Sequence, residues 1–184
     1  MKHYEQLIVF PIFLNGVIEI SEKKGDTTKR LAVIRIRGRV DRSQSIKKTL
    51  ELLRLNRINH CVIIDDRVTY RGMLQKTKDL ITWGELDSVT MKELLLKRGR
   101  LEGGERITEE YIKKNTEFSG IDDFITKFLK FEANLSDIRG LKQVFRLHPP
   151  RKGHKRRGVK QSFSLGGSLG YRGIEINNLI LKMS

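Results

Sequence analysis

The residue pairs that could carry chemistry are few, and their spacing works against it. His60-Cys61 has the types of a base and a nucleophile, but neighbours in an extended segment project to opposite faces and cannot share a hydrogen bond. Asp65-Asp66 has the types of a metal or acid pair. Adjacent residues that close a strand diverge, however, and a turn accounts for them. The four histidines, His3, His60, His148 and His154, have no metal-ligand spacing. Gly166-Gly167-Ser168-Leu169-Gly170 lacks both G-x-G-x-x-G and the Gly-Lys-Ser of a phosphate loop, so its expected role is close backbone packing against the body or against a ligand. These patterns point to no enzyme, no metal, no cofactor and no small-molecule substrate.

What the sequence does hold in quantity is positive charge. Its 184 residues carry 37 Lys+Arg against 22 Asp+Glu, a formal +15, and a polyanion such as nucleic acid neutralises such an excess. Residues 31–60 carry +6 and 141–184 carry +9, while 1–30 carry +1 and 61–140 carry −1. This fits a folded body with two basic surfaces that meet one ligand. In the first stretch Arg35, Arg37 and Arg39 alternate along a strand beside Arg42, Lys47 and Lys48, with Arg54 and Arg57 following. Tyr70-Arg71-Gly72, with Lys76 about one turn on, opens a helix, where N–H groups and arginine suit phosphate. In the second stretch Phe145 to Lys160 holds Arg146, Arg151, Lys152, Lys155, Arg156, Arg157 and Lys160 with no acid, and includes His148 and His154 as stacking or hydrogen-bonding groups. Such a segment has little to bury and gains order by neutralising phosphate.

The elements that must position these residues follow from hydrophobic spacing. Leu31, Val33, Ile34 and Ile36 against Arg35, Arg37 and Arg39 predict a half-buried strand with an arginine-bearing outer face. Ser43 or Ser45 caps a helix of about twelve residues with Ile46, Leu50, Leu52 and Leu53 inward. Cys61 to Ile64 fits a central strand covered on both faces, with Cys61 as a small buried apolar residue. Thr69 to Ile81 has helical spacing and Thr82 to Leu86 forms a third strand. The order β-α-β-α-β, read as two right-handed crossovers, places both helices on one face. Helices at 89–97, 108–114 and 121–131 form an added lobe that covers part of the other face, residues 151–173 an extended arm, and 175–183 a closing helix. The chain thus divides into a leader (1–30), an α/β core (31–87), a helical lobe (88–140) and a basic arm with the C-terminal helix (141–184). One cysteine suits a reducing, cytoplasmic setting. No apolar run is long enough to span a membrane, and no membrane partner is expected. The apolar run at 7–14 resembles part of a signal peptide, but Glu5 and the lack of a small-residue cleavage site argue against export.

Six ordered blocks, Leu31-Ala-Val-Ile-Arg-Ile-Arg-Gly38, Leu53-Arg-Leu-Asn-Arg-Ile-Asn-His60, Tyr70-Arg-Gly-Met-Leu-Gln-Lys76, Thr82-Trp-Gly-Glu85, Phe145-Arg-Leu-His-Pro-Pro150 and Leu169-Gly-Tyr-Arg-Gly173, closely resemble the archaeal form of the large-subunit ribosomal protein L-thirty family. Its eukaryotic members are called L-seven. The resemblance runs from about Leu31 to the C-terminus. It implies an α+β, ferredoxin-like sheet, no catalysis, and a place in the large subunit of the cytoplasmic ribosome bound to large-subunit ribosomal RNA beside neighbouring ribosomal proteins. It also sets the helix start at Tyr70-Arg71-Gly72 against RNA. Tyr171 and Arg172 of the last block join the expected RNA contacts. Residues 1–30 have no counterpart in the family, so they are either an extension or the product of a start placed too far upstream, the second being favoured. Removing them is expected to leave folding intact. The contrasting readings are an RNA-directed enzyme using Asp65, Asp66 and the basic arm, and a free nucleic-acid-binding regulator.

Overall fold

Three short apolar runs become three adjacent strands in the computed structural model, which describes residues 29–154 and 157–184. Most of the leader, and Lys155 and Arg156, lie outside these described residues. In chain order the elements are β1 (Arg30–Arg35), α1 (Gln44–Leu52), β2 (His60–Asp65), α2 (Val68–Thr77), β3 (Ile81–Glu85), α3 (Ser88–Arg98), α4 (Glu109–Asn115), α5 (Ile121–Leu129), β4 (Phe145–Arg146), β5 (Gly170–Tyr171) and α6 (Ile176–Met183).

The sheet has five strands in the order β4-β2-β1-β3-β5. β1 is antiparallel to both neighbours, with Val33 opposite Val62 on one side and Trp83 on the other. β2 and β3 therefore run in the same direction on either side of β1, the split β-α-β arrangement of a ferredoxin-like fold. This corrects the expectation of two crossovers: only α2 joins strands that run the same way, and α1 connects an adjacent antiparallel pair. It also moves Cys61 to Ile64 away from the centre of the sheet, leaving Ile63 and Ile64 half-buried.

Side chains alternate across β1 and enter two cores. Ala32, Ile34 and Ile36 pack with Cys61, Met91, Leu94, Phe124, Phe128, Phe145 and Ile180, residues drawn from β2, α3, α5, β4 and α6. Leu31 and Val33 pack on the other side with Leu50, Leu74 and Leu80 around α1 and α2. Both faces are covered, so every residue of β1 is buried and the expected arginine-bearing outer face does not exist. The helices of 88–140 share one continuous core with the sheet.

The strand begins at the last residue assigned to the leader. Arg30 is buried, ion-paired with Asp65, and its guanidinium lies 4.3 Å from the ring centroids of both Phe128 and Phe131. At α1, Ser43 accepts a hydrogen bond from the Ile46 N–H, but the helix stops at Leu52, which is 61% exposed and so lies off the buried stripe.

Two of the six recurrent blocks lock together at the β3–β5 edge. Thr82 Oγ1 donates to the Gly170 carbonyl at 2.9 Å, and the Arg172 N–H donates to the Trp83 carbonyl at 2.8 Å. Gly84 lies directly under Gly173: a Cβ at residue 84 would sit 2.0 Å from the Gly173 carbonyl oxygen. Much of the expected extended arm therefore folds back. Phe163–Leu165 form a 3-10 turn, Ser162 bridges Leu169, and a Cβ on Gly167 would meet the Gln161 carbonyl oxygen at 2.2 Å. The glycine-rich run packs against the protein's own backbone. Among the described residues no helix is long and apolar enough to cross a membrane.

Candidate nucleic-acid interface

The two basic stretches, remote in sequence, meet at the β4 edge of the sheet. His60 of β2 pairs with Arg146 of β4, the Leu147 N–H donates to the Asn59 carbonyl at 3.0 Å, and Arg54 Nη1 donates to Gln143 Oε1 at 2.7 Å. The segment that follows is pinned along the end of α6, where His148 N–H donates to the Met183 carbonyl and Arg151 N–H to the Lys182 carbonyl, each at 2.9 Å. His60 records the resulting field. Burial first, then Arg146 and Arg57, hold its imidazole below the ordinary value.

Beside this edge lies a cleft of about 350 Å³ lined by Arg98, Arg100, Lys142, Arg146 and His148, with Val144, Leu147 and Gly104 completing the wall. Among the described residues no carboxylate lines it. Burial lowers the Arg98 pKa, and repulsion from Arg100, Arg106 and Arg151 adds to that. Its Nε is buried with no hydrogen-bond partner among the described residues. Like charges held together without counter-charge form a site for an anion. Arg98, Arg100 and Arg106 were absent from the set read off the sequence because residues 61–140 are nearly neutral as a block, and Lys142 because it precedes the acid-free run at 145–160. The available signal was local: Lys97-Arg98-Gly99-Arg100 places three cations in four residues.

The remaining expected residues divide by location. Arg35 is only 2% exposed. Its Nε donates to the Arg37 carbonyl at 2.9 Å and its Nη1 to the carbonyls of Leu55 at 2.7 Å and Asn56 at 3.0 Å. Arg172 is also buried, donating to the Ser168 carbonyl at 3.0 Å and to Thr82 Oγ1 at 3.3 Å, with its guanidinium 4.7 Å from the Phe163 ring. Burial lowers the pKa of both. These two arginines hold the body together. Arg39, Lys48, Arg54, Arg57, Lys76, Arg146, His148, Arg151, Lys152, Arg157 and Lys160 are exposed, whereas Arg37, Arg42, Lys47 and His154 are half-buried. Arg157 is partly committed, donating to the Leu165 carbonyl at 2.8 Å. His154 is held below its ordinary value by burial and then by Arg172.

Arg71 and Gly72 are not brought to the β4 edge, whereas Tyr70 lines a recess with Arg54 and Gln143 on that side of the sheet. Asp66, Arg71's partner, follows the far end of β2 from His60, about 17 Å along a strand of this length. Arg71 grips Asp66 with Nε–Oδ1 at 2.6 Å and Nη2–Oδ2 at 2.7 Å, a hydrogen-bonded pair that lowers the carboxyl pKa and raises that of the guanidinium. Tyr70 is half-buried, and a Cβ added at Gly72 would meet nothing within 4 Å, so α2 is open at that residue. Tyr171 lies nearby at the β5 edge and is 55% exposed.

The groups considered for catalysis are otherwise occupied. Asp65 pairs with Arg30 and Arg67, Asp66 with Arg71, and Cys61 is fully buried with its thiol pushed up to about 12.

Comparison with known proteins identifies the family. Residues 31–81 match the family model described as ribosomal protein L30p/L7e. The chain is 50% identical over 148 residues to the large ribosomal subunit protein uL30 of Methanopyrus kandleri, covering 80% of this chain and 99% of the relative. It is 46% identical over 152 residues to the uL30 of Methanocella arvoryzae, covering 83% and 98%. Against the uL30 of Methanococcus maripaludis it is 49% identical over 152 residues, covering 83% and 97%. With half of all aligned positions shared along almost the full length of these archaeal proteins, the chain belongs to the ribosomal protein L30p/L7e family, a structural and non-enzymatic one.

Proposed function

We propose that the protein is a structural constituent of the large ribosomal subunit in the cytoplasm, where it binds large-subunit ribosomal RNA beside neighbouring ribosomal proteins and helps to assemble and stabilise it. The observation that carries this reading is the cleft of Arg98, Arg100, Lys142 and Arg146 at the β4 edge, which no carboxylate among the described residues lines. Phosphates entering it relieve a repulsion already present in the free protein, and their contacts fix position without reading sequence. Arg57, Arg151 and Lys152 extend the same surface, and Arg39, Arg42, Lys47 and Lys48 carry it around the β1–α1 connection. Lys155 and Arg156, outside the described residues, add two further cations to this reading. Arg35 and Arg172 are left out of the contact set because carbonyl oxygens of the body already occupy their guanidinium groups.

Sucrose-gradient sedimentation of cell extract with antibody detection tests it. The protein is expected with large subunits at moderate salt and in the free fractions after a high-salt wash. Persistent absence from the large-subunit peak would favour a free nucleic-acid-binding regulator.

A further inference from the structure

A second recess lies at the opposite edge of the sheet from the basic cleft, where α2 faces β3 and β5, and its lining is of a different kind. It has a volume of about 320 Å³, and Leu31, Leu74 and Trp83 give it an apolar floor. Asp66, Arg71, Glu85 and Tyr171 stand around it. The rings of Trp83 and Tyr171 have centroids 6.4 Å apart and are tilted by 50°, so they are not stacked on each other. Tyr171 is more than half exposed, yet its orientation is fixed: its hydroxyl donates to Glu85 Oε1 at 2.7 Å, and Lys29 approaches the same oxygen at 3.5 Å. The Arg71 guanidinium is likewise held flat by its two bonds to Asp66.

We propose that this recess receives one unpaired nucleobase of the bound RNA, stacked on Tyr171 over the apolar floor. The inference rests on the RNA-binding reading above and adds a mode of recognition to it. An aromatic face fixed at a polar rim suits a flat heterocycle, because unpaired bases stack on aromatic side chains and guanidinium planes whereas duplex RNA keeps its faces hidden. The two edges then differ in kind: the cleft takes backbone, and the recess takes a base. Engagement of both fixes the protein's orientation on the RNA, which phosphate contacts at one edge alone do not.

The test uses the full chain and deproteinised large-subunit ribosomal RNA from a methanogen. Tyr171→Ala is expected to weaken binding roughly tenfold, as loss of one base–aromatic stack does, with the salt dependence of binding unchanged because no phosphate contact is lost. Tyr171→Phe keeps the ring and is expected to bind within about twofold of the parent, which separates stacking from the hydroxyl's bond to Glu85. Trp83 is the single tryptophan in the sequence, and its emission is expected to be quenched as the parent protein binds. Parental affinity for Tyr171→Ala, an altered salt slope in it, or unquenched Trp83 emission would each overturn the recess as a base site while leaving RNA binding by the cleft in place. Failure of the parent chain to bind the RNA at all would overturn both readings.

Discussion

Arg30 and Asp65 form an ion pair inside the protein, tying the first residue of β1 to the last residue of β2. The guanidinium also donates to the carbonyls of Phe128 at 3.1 Å and Ala133 at 3.0 Å, so one side chain joins the sheet to the end of α5 and the loop beyond it. Burial lowers the Arg30 pKa, and Asp65 works against that effect.

Losing this side chain leaves Asp65 with only the exposed Arg67 as an ionic partner among the described residues. Arg30→Met is expected to cost about 3 kcal/mol, the lower end for breaking a buried pair from one side. By the same reasoning, a chain starting at Leu31 unfolds at clearly lower urea concentration than one starting at Lys29. Equal midpoints for the two truncations would show that the Arg30 contacts contribute nothing to the fold.

In the cleft, Arg100→Ala and Arg146→Ala are expected to weaken RNA binding and to lower the magnitude of the log–log salt slope by roughly 0.7 to 0.9 for each phosphate contact removed. Thermal midpoints should hold or rise, because each change relieves repulsion, on Arg98 in the first case and on His60 in the second. Filter binding at a series of salt concentrations, paired with calorimetry, measures both quantities. Weaker binding with an unchanged slope would remove these residues from the phosphate contacts.

His60 links pH to stability and to binding. Its folded pKa lies below the ordinary 6.5, with burial as the main cause, so the fold prefers the neutral ring. The associated stability is complete above 6.5 and is lost as pH falls through the folded value. His60→Gln should therefore flatten the decline of the urea midpoint below neutrality. RNA phosphate near Arg146 and Arg57 would offset their charge and move the imidazole pKa upward, which a ring-proton titration by NMR with and without RNA detects. A downward move on binding would place the phosphates elsewhere.

Core substitutions should rank by burial. Leu50→Ala, at a residue only 1% exposed, is expected to cost about 2–5 kcal/mol, and Ile63→Ala less because that residue is half-buried. Gly84→Ala should cost about 1–3 kcal/mol through overpacking against Gly173. Chemical denaturation gives the order, and a larger loss at Ile63 than at Leu50 would contradict it.

Local pattern in the sequence was enough to find β1 to β3 and the helices, within a few residues at each end, whereas β5 falls inside the stretch read as an extended arm. It did not reveal the direction of β2 and β3, because apolar periodicity carries no information about pairing. Arg35 and Arg172 looked like surface cations, since what buries them is carbonyl oxygens supplied by Leu55, Asn56 and Ser168, and no side-chain pattern marks a carbonyl. The cleft was hidden for a complementary reason. Arg98 and Arg100 sit among acids along the chain, and folding sets them against Lys142 and Arg146 instead. Tyr171 was legible only through resemblance to a family, and its pairing with Trp83 depends on the parallel β3–β5 contact.

The two outermost strands, β4 and β5, are each only two residues long. An edge that short gives another chain almost no row of free amides and carbonyls to pair with. Free copies of the protein thus have little opportunity to zip together edge to edge, and their mutual repulsion at +15 works in the same direction. On the function proposed above, the arrangement guards against aggregation during the interval between synthesis and assembly.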